Sequence, residues 1–146
     1  MKTHVPLWPV RLEEILDLGE YEKVRDRFRA RIIALKRLRR VGVGDHVSLV
    51  FENHDTVLWQ VQEMVRTERI GDPAAIRFEC DTYNELCPAA GELSATLFIE
   101  IVDQARAREM LDQLIGLDEH VVFRVGPHAI RAEFDPGRST AERIAA

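Results

Sequence analysis

Cysteine is scarce in this chain, with only Cys80 and Cys87 among 146 residues. Two thiols cannot build a disulfide framework, and on one shared helix their seven-residue spacing sets them about 10 Å apart, beyond bridging distance. Reduced thiols are expected. They are also too few to hold an iron–sulfur cluster within this chain, since such clusters take four ligands. Glycine (8) and proline (6) are sparse, which excludes collagen-like and low-complexity chains. No apolar run approaches the roughly 18 residues of a membrane span, and the leading MKTHVPLWPVRLEEIL has no apolar signal core. A cytoplasmic protein without membrane contact is the expectation. Catalytic signatures are missing as well: there is no GxSxG, P-loop, Rossmann glycine fingerprint, HExxH or CxxC. Lysine supplies only 3 of the 20 basic residues, and an arginine-dominated set favours planar, paired contacts over diffuse charge. A net charge of −5 disfavours nucleic acid as a partner.

What is present suits one domain, 46% apolar and 31% charged. A Pro-punctuated lead, anchored by Trp8, precedes a short helix over about residues 11–17. A long helix is predicted from Glu20 to Arg40, because Val24, Phe28, Ile32, Leu35 and Leu38 recur at three- and four-residue steps. From His46 to Glu52 the pattern alternates, with Val47, Leu49 and Phe51 as the inward side. Asn53 or Asp55 caps a helix over Thr56 to Arg69 that Gly71 ends, and Asp72-Pro73 opens another reaching Leu86. The run from Glu92 to Val102 alternates again, burying Leu93, Ala95, Leu97, Ile99 and Ile101. A helix from Gln104 to Ile115 follows, and then two strands, His120–Val125 and His128–Phe134, around Gly126-Pro127. This order predicts a single α+β domain over residues 1–134, with an antiparallel or mixed sheet of about four strands and helices mainly on one face. Residues 135–146 read as a tail.

Two surfaces carry candidate chemistry. On the long helix, Arg25, Arg29, Lys36, Arg37 and Arg40 lie away from the apolar stripe and suit an acidic partner through charge-assisted hydrogen bonds. Ordinary dipole complementation and pairing with Glu22 and Asp26 account for the same residues. The second surface gathers Glu52, Asn53, Asp55, Gln60, Glu63 and Arg66, with Glu92 and Ser94 joining if their strand pairs beside the first. Its oxygen-rich side chains suit a polar ligand or hard cation. The competing account makes Asn53 or Asp55 a cap and the polar sheet face a solvent face. No transition-metal site is assigned, since His120 and His128 fall about 17 Å apart along their hairpin and no paired histidine spacing occurs. No cofactor is indicated.

The run RARIIALKRLRRVGVGDHVSLVFENHDTVLWQVQEMVRTERI, followed by YNELCPAAGELSATLFIEI, resembles the bacterial family called domain of unknown function 3501. GDHVSLVFEN, DTVLWQVQEM and GELSATLFIEI carry the resemblance, which spans nearly the whole chain. It brings no activity with it. It implies a setting beside rubrerythrin-like proteins and heterodisulfide-reductase-like iron–sulfur proteins, and similar proteins continue past the equivalent of Ile144 with an aromatic, strand-like ending. Two function classes follow. The first is a non-enzymatic accessory or interaction protein of a cytoplasmic redox or oxidative-stress module, partnered by a rubrerythrin-like or iron–sulfur protein or by a second copy of itself. The second is a small enzyme or ligand or metal sensor whose pocket is bordered by Glu52, Gln60, Glu63 and Glu92.

Overall fold

The computed structural model describes residues 3–134, so the tail from Asp135 to Ala146 lies outside the described residues. The chain divides into two units, one holding the residues up to Val43 together with Ser48–Leu97, the other Gly44–Val47 with the residues from Phe98.

In the first unit a single 3-10 turn, Leu12–Glu14, replaces the short helix expected over 11–17. The long helix α1 (Leu18–Arg39) begins where the Asp17 carboxylate accepts from the Glu20 amide at 2.8 Å, and Lys36, Arg37 and Arg39 complement its C-terminal dipole. Its buried side holds Tyr21 and Ile32, whereas Leu38 is 88% exposed, contrary to the periodic reading. The chain leaves α1 straight into β1 (Arg40–Val43), and in the last turn it is Arg39, not Leu38, that meets the neighbouring segment, donating to the carbonyls of Phe51 and Glu52. Trp8 is likewise 72% exposed, and Val10, at 2%, anchors the lead in its place.

α2 (His54–Thr67) is capped by Asn53, with Thr56 completing a reciprocal capping box. Its end is not made by Gly71. Arg69 adopts φ 52°, its amide donates to Arg66 O at 3.3 Å, and Ile70 N–H donates to Val65 O at 3.0 Å. That is a Schellman ending with arginine in the left-handed position that glycine usually fills. Asp72 caps α3 (Pro73–Tyr83), and a 3-10 turn, Asn84–Leu86, carries it on. Helices α1 and α2 pack together, as do α2 and α3. Between them lies a core of Val10, Val57, Val61, Val65, Cys80 and Cys87. Both cysteines are free.

The strands make an α+β fold with antiparallel pairing in two small sheets. One has the order β1–β2–β3, with β2 at Val47–Phe51 and β3 at Ala95–Ile99. Glu52 N–H donates to Ser94 O at 2.8 Å and Glu100 N–H to His46 O at 2.6 Å, a pairing that only antiparallel strands give. The inward side of β2 is not the one its apolar residues suggest: Ser48 is 4% and Val50 1% exposed. Ser48 tolerates burial because Arg40 Nη1 donates to its hydroxyl at 3.0 Å. Leu97 is buried in β3, but Leu93 lies outside the strand and is exposed.

In the second unit Asp103 caps a 3-10 turn, Gln104–Arg106, and α4 spans only Ala107–Gln113. Gly116, at φ 87°, reverses the chain. β4 (Val122–Val125) and β5 (His128–Arg131) then pair from Val122 with Arg131 to Val125 with His128. Gly126, at φ 55°, holds the first central place of their two-residue connection, as a type II′ turn requires.

Candidate functional site

The N-terminus of α2 collects the polar residues that end β2. Asn53 Oδ1 accepts from the Thr56 amide at 3.0 Å, and the Thr56 hydroxyl donates to Glu52. The other Glu52 oxygen accepts from the Thr96 hydroxyl at 2.8 Å, so β3 does bring its polar face beside β2. Arg39 donates to the carbonyls of Phe51 at 2.6 Å and Glu52 at 3.2 Å. Glu52, Asn53 and Ser94 thus stand together, with side-chain or backbone oxygens engaged by protein donors.

Two helical turns on, a second cluster joins α1 to α2. The Tyr21 hydroxyl donates to Glu63 Oε2 at 2.7 Å, and Arg25 grips the same carboxylate through Nε at 3.0 Å and Nη2 at 2.7 Å. The Arg25 hydrogen bonds hold the Glu63 carboxyl below the usual range, against the opposing pull of burial. Burial raises the Tyr21 phenol, and its hydrogen bond to Glu63 raises it further, so it stays protonated. Phe28 packs edge to face against both Tyr21 and Trp59, Trp59 lies tilted against Tyr21, and Arg66 bonds Glu22. Glu63 was read from the sequence as a ligand group and Arg25 as a partner group. The fold joins the two.

A third cluster centres on His54. Its Nε2 lies 2.9 Å from Glu14 and its Nδ1 3.1 Å from Asp55, whose other oxygen accepts from Arg31 at 2.9 Å. Burial disfavours the imidazolium, but the hydrogen bonds to Glu14 and Asp55 outweigh it and raise the His54 pKa above 6.5. Elsewhere, Glu92 stands 3.6 Å from His4, and Gln60 is half-buried with no hydrogen bond among the described residues. Glu52 is held by Thr56 and Thr96, Glu63 by Tyr21 and Arg25, and Glu92 stands by His4, so the three carboxylates engage different partners. The first unit does hold a cavity of about 340 Å³, but its walls are mainly apolar, among them Leu16, Leu18, Val65, Ile70 and Ile76. Among the described residues no group of three His, Cys, Asp or Glu side chains is placed to hold a metal ion.

The cationic residues of α1 separate into two kinds. Arg25 and Arg40 are turned to Glu63 and Ser48, while Arg29 and Arg37 are exposed and Lys36 half-exposed, without an ion pair among the described residues. Around them Ile33 is exposed on α1, and Val41 and Val43 on β1. Strand β1 is an edge of its sheet.

A family model described as "Protein of unknown function (DUF3501)" matches residues 9–146. The chain belongs to the DUF3501 family. A solved structure, a novel protein of unknown function from Burkholderia pseudomallei K96243, is 38% identical to this DUF3501 chain. The likeness covers 82% of this chain and 68% of that one, with a TM-score of 0.77. No curated protein matches. No helix among the described DUF3501 residues is long and apolar enough to cross a membrane.

Sequence reading passed over two amides that the DUF3501 fold uses fully. Gln62, 1% exposed, accepts from Leu16 N–H at 3.0 Å and donates to Leu16 C=O at 2.9 Å. Asn84 brackets Val10 in the same way, at 2.7 and 2.9 Å. One signal for Gln62 was available: it sits on the apolar stripe of α2, next to Val61 and three residues before Val65.

Proposed function

We propose that this chain is a non-enzymatic docking protein that binds an acidic partner through the outward side of α1. One contrast carries the reading. The carboxylates that catalysis would need, Glu52 and Glu63, are held by protein donors, whereas Arg29, Lys36 and Arg37 face outward without an ion pair among the described residues. Arg29, Ile33, Lys36 and Arg37 fall at steps of four, three and one, so a single helix face presents cations around an apolar side chain. Such a face suits an acidic surface with an apolar centre, where the charges steer the encounter and the buried centre holds it.

The partner class follows the family resemblance: a rubrerythrin-like or iron–sulfur protein of a cytoplasmic redox module. The test is biolayer interferometry of the purified chain against those two partner proteins from the same organism at two salt concentrations. Binding should weaken as salt rises, and Arg37→Glu or Arg29→Glu should lower affinity about tenfold while the circular dichroism spectrum stays unchanged. Binding that ignores both charge reversals would refute this surface, and no binding to either protein would refute the partner class.

A further inference from the structure

The stretch from His4 to Leu16 has one 3-10 turn, yet it is fastened along its length. His4 Nε2 meets the Cys87 carbonyl at 2.9 Å, Leu7 N–H donates to Pro88 O at 3.1 Å, and Pro6 forms a bridge with Ala89. Asn84 brackets Val10, Gln62 brackets Leu16, and His54 grips Glu14. From this stretch Val10 packs into one cluster with Cys80 and Cys87, all three buried. The two thiols are therefore roofed by a segment held through discrete polar contacts.

We propose that His4 to Leu16 form a pH-gated strap: protonated His54 holds it down over Cys80 and Cys87, and loss of that proton loosens it. The amide brackets do not titrate. His54 does, and it joins the strap to the N-terminus of α2. The charged groups around it are Glu14 from the strap, which Arg11 also faces, Asp55 on its own helix and Arg31 from α1, which reaches it through Asp55. With both ring nitrogens protonated, His54 donates to Glu14 and Asp55 at once. The neutral ring has one N–H and must give up one of those two bonds.

The direction follows from linkage. The His54 pKa is raised in the folded chain, so its hold is fully present below about 6.5 and is lost as pH rises through the folded value. Glu14 stays ionised throughout that window: burial opposes its charge, but hydrogen bonds from the Arg11 backbone and His54 lower its pKa. The strap is thus tightest in mildly acidic solution. This inference is independent of the docking face on α1.

Hydrogen exchange read by NMR at the Val10 and Leu16 amides, corrected for the intrinsic rate, tests the gate. Strap opening should be about two- to fivefold more frequent at about pH 8.5 than at about pH 5.5, the range of a partly exposed ion pair. His54→Gln should abolish that dependence. A second reading uses N-ethylmaleimide at one fixed, mildly acidic pH, where the thiolate fraction is the same in both proteins. There His54→Gln should label Cys80 and Cys87 about two- to fivefold faster than wild type. Flat exchange in the wild type, an unchanged dependence in His54→Gln, or Val10 and Leu16 exchanging only together with Val57 and Val61 would each overturn the proposal. If His54→Gln does not fold, His4→Gln serves in its place: it leaves the His54 contacts intact, so the wild-type pH dependence should persist at both amides, and its loss there would overturn the proposal.

Discussion

Replacing Gln62 by glutamate keeps the side chain's shape and changes one hydrogen-bond donor into an acceptor. In the native chain Gln62 Oε1 accepts from Leu16 N–H at 3.0 Å while Nε2 donates to Leu16 C=O at 2.9 Å. Ionised glutamate retains the first bond and sets its second oxygen against that carbonyl, in a residue only 1% exposed. A buried, uncompensated charge costs about 3–5 kcal/mol. At about 1.4 kcal/mol per pKa unit, the new carboxyl should titrate about 2–4 units above its ordinary value. The protonated acid restores a donor, so most of the loss should disappear near pH 4. Its folded pKa is raised, so stability relative to wild type should fall as pH rises from about 4.3 towards the folded value and level off above it. Urea unfolding followed by circular dichroism, for both proteins at matched pH, measures this directly. A loss below about 1 kcal/mol at pH 7, or one that does not change with pH, would mean that the bracket on Leu16 contributes little.

Two further substitutions test other parts of the fold. Arg69→Gly should raise the unfolding free energy by about 0.5–1 kcal/mol in urea titrations, because φ 52° is unfavourable for arginine and open to glycine. Glu63→Ala should lower it by about 1–3 kcal/mol, since the hydroxyl of fully buried Tyr21 loses its acceptor. The Glu63 pKa is lowered in the fold, so the difference from wild type should shrink as pH falls below about 4.5.

Local chemistry was legible in this sequence wherever neighbours decide the outcome. Asp72-Pro73 reads as a helix start because its carboxylate and missing N–H act within one turn, and Asp72 does cap α3. Gly126-Pro127 marks its hairpin for the same local reason. Long-range pairing was not legible. Ser48 in a strand looks like a solvent-facing residue until Arg40 is placed against it, and Leu38 continues a helical stripe that nothing covers. The candidate site shows the same limit. Asn53 was recognisable as a cap, and the link from β3 to Glu52 followed from alternation. The Arg25–Glu63 pair spans 38 residues, so the sequence reading placed its two members on separate surfaces, and Arg31, 24 residues from Asp55, was assigned to neither. Asn84 lacks a local signature, and Gln62 has only its place on the apolar stripe, for a different reason: each serves the backbone of a distant segment, and any segment passing there would do.

The overall charge of −5 looks at odds with docking to an acidic partner, and distance resolves the conflict. The acids nearest α1 are spent on its inward or lateral cations, with Glu63 on Arg25 and Asp55 on Arg31. Asp26, the exposed acid on the outward side, lies ten residues before Lys36, which is about 15 Å along the helix. At physiological salt, charge is screened over about 8 Å, so Asp26 does little to neutralise Lys36 and Arg37. The negative end of the helix dipole offsets part of their charge within the last turn, but it is fixed and partial while the side chains reach outward. An approaching acidic surface therefore meets the local field of Lys36 and Arg37 before it meets the net charge of the chain. Arg37→Glu reverses that local field, whereas a charge reversal of equal size and opposite sign at the far end of α1, Glu20→Arg, should leave docking nearly unchanged.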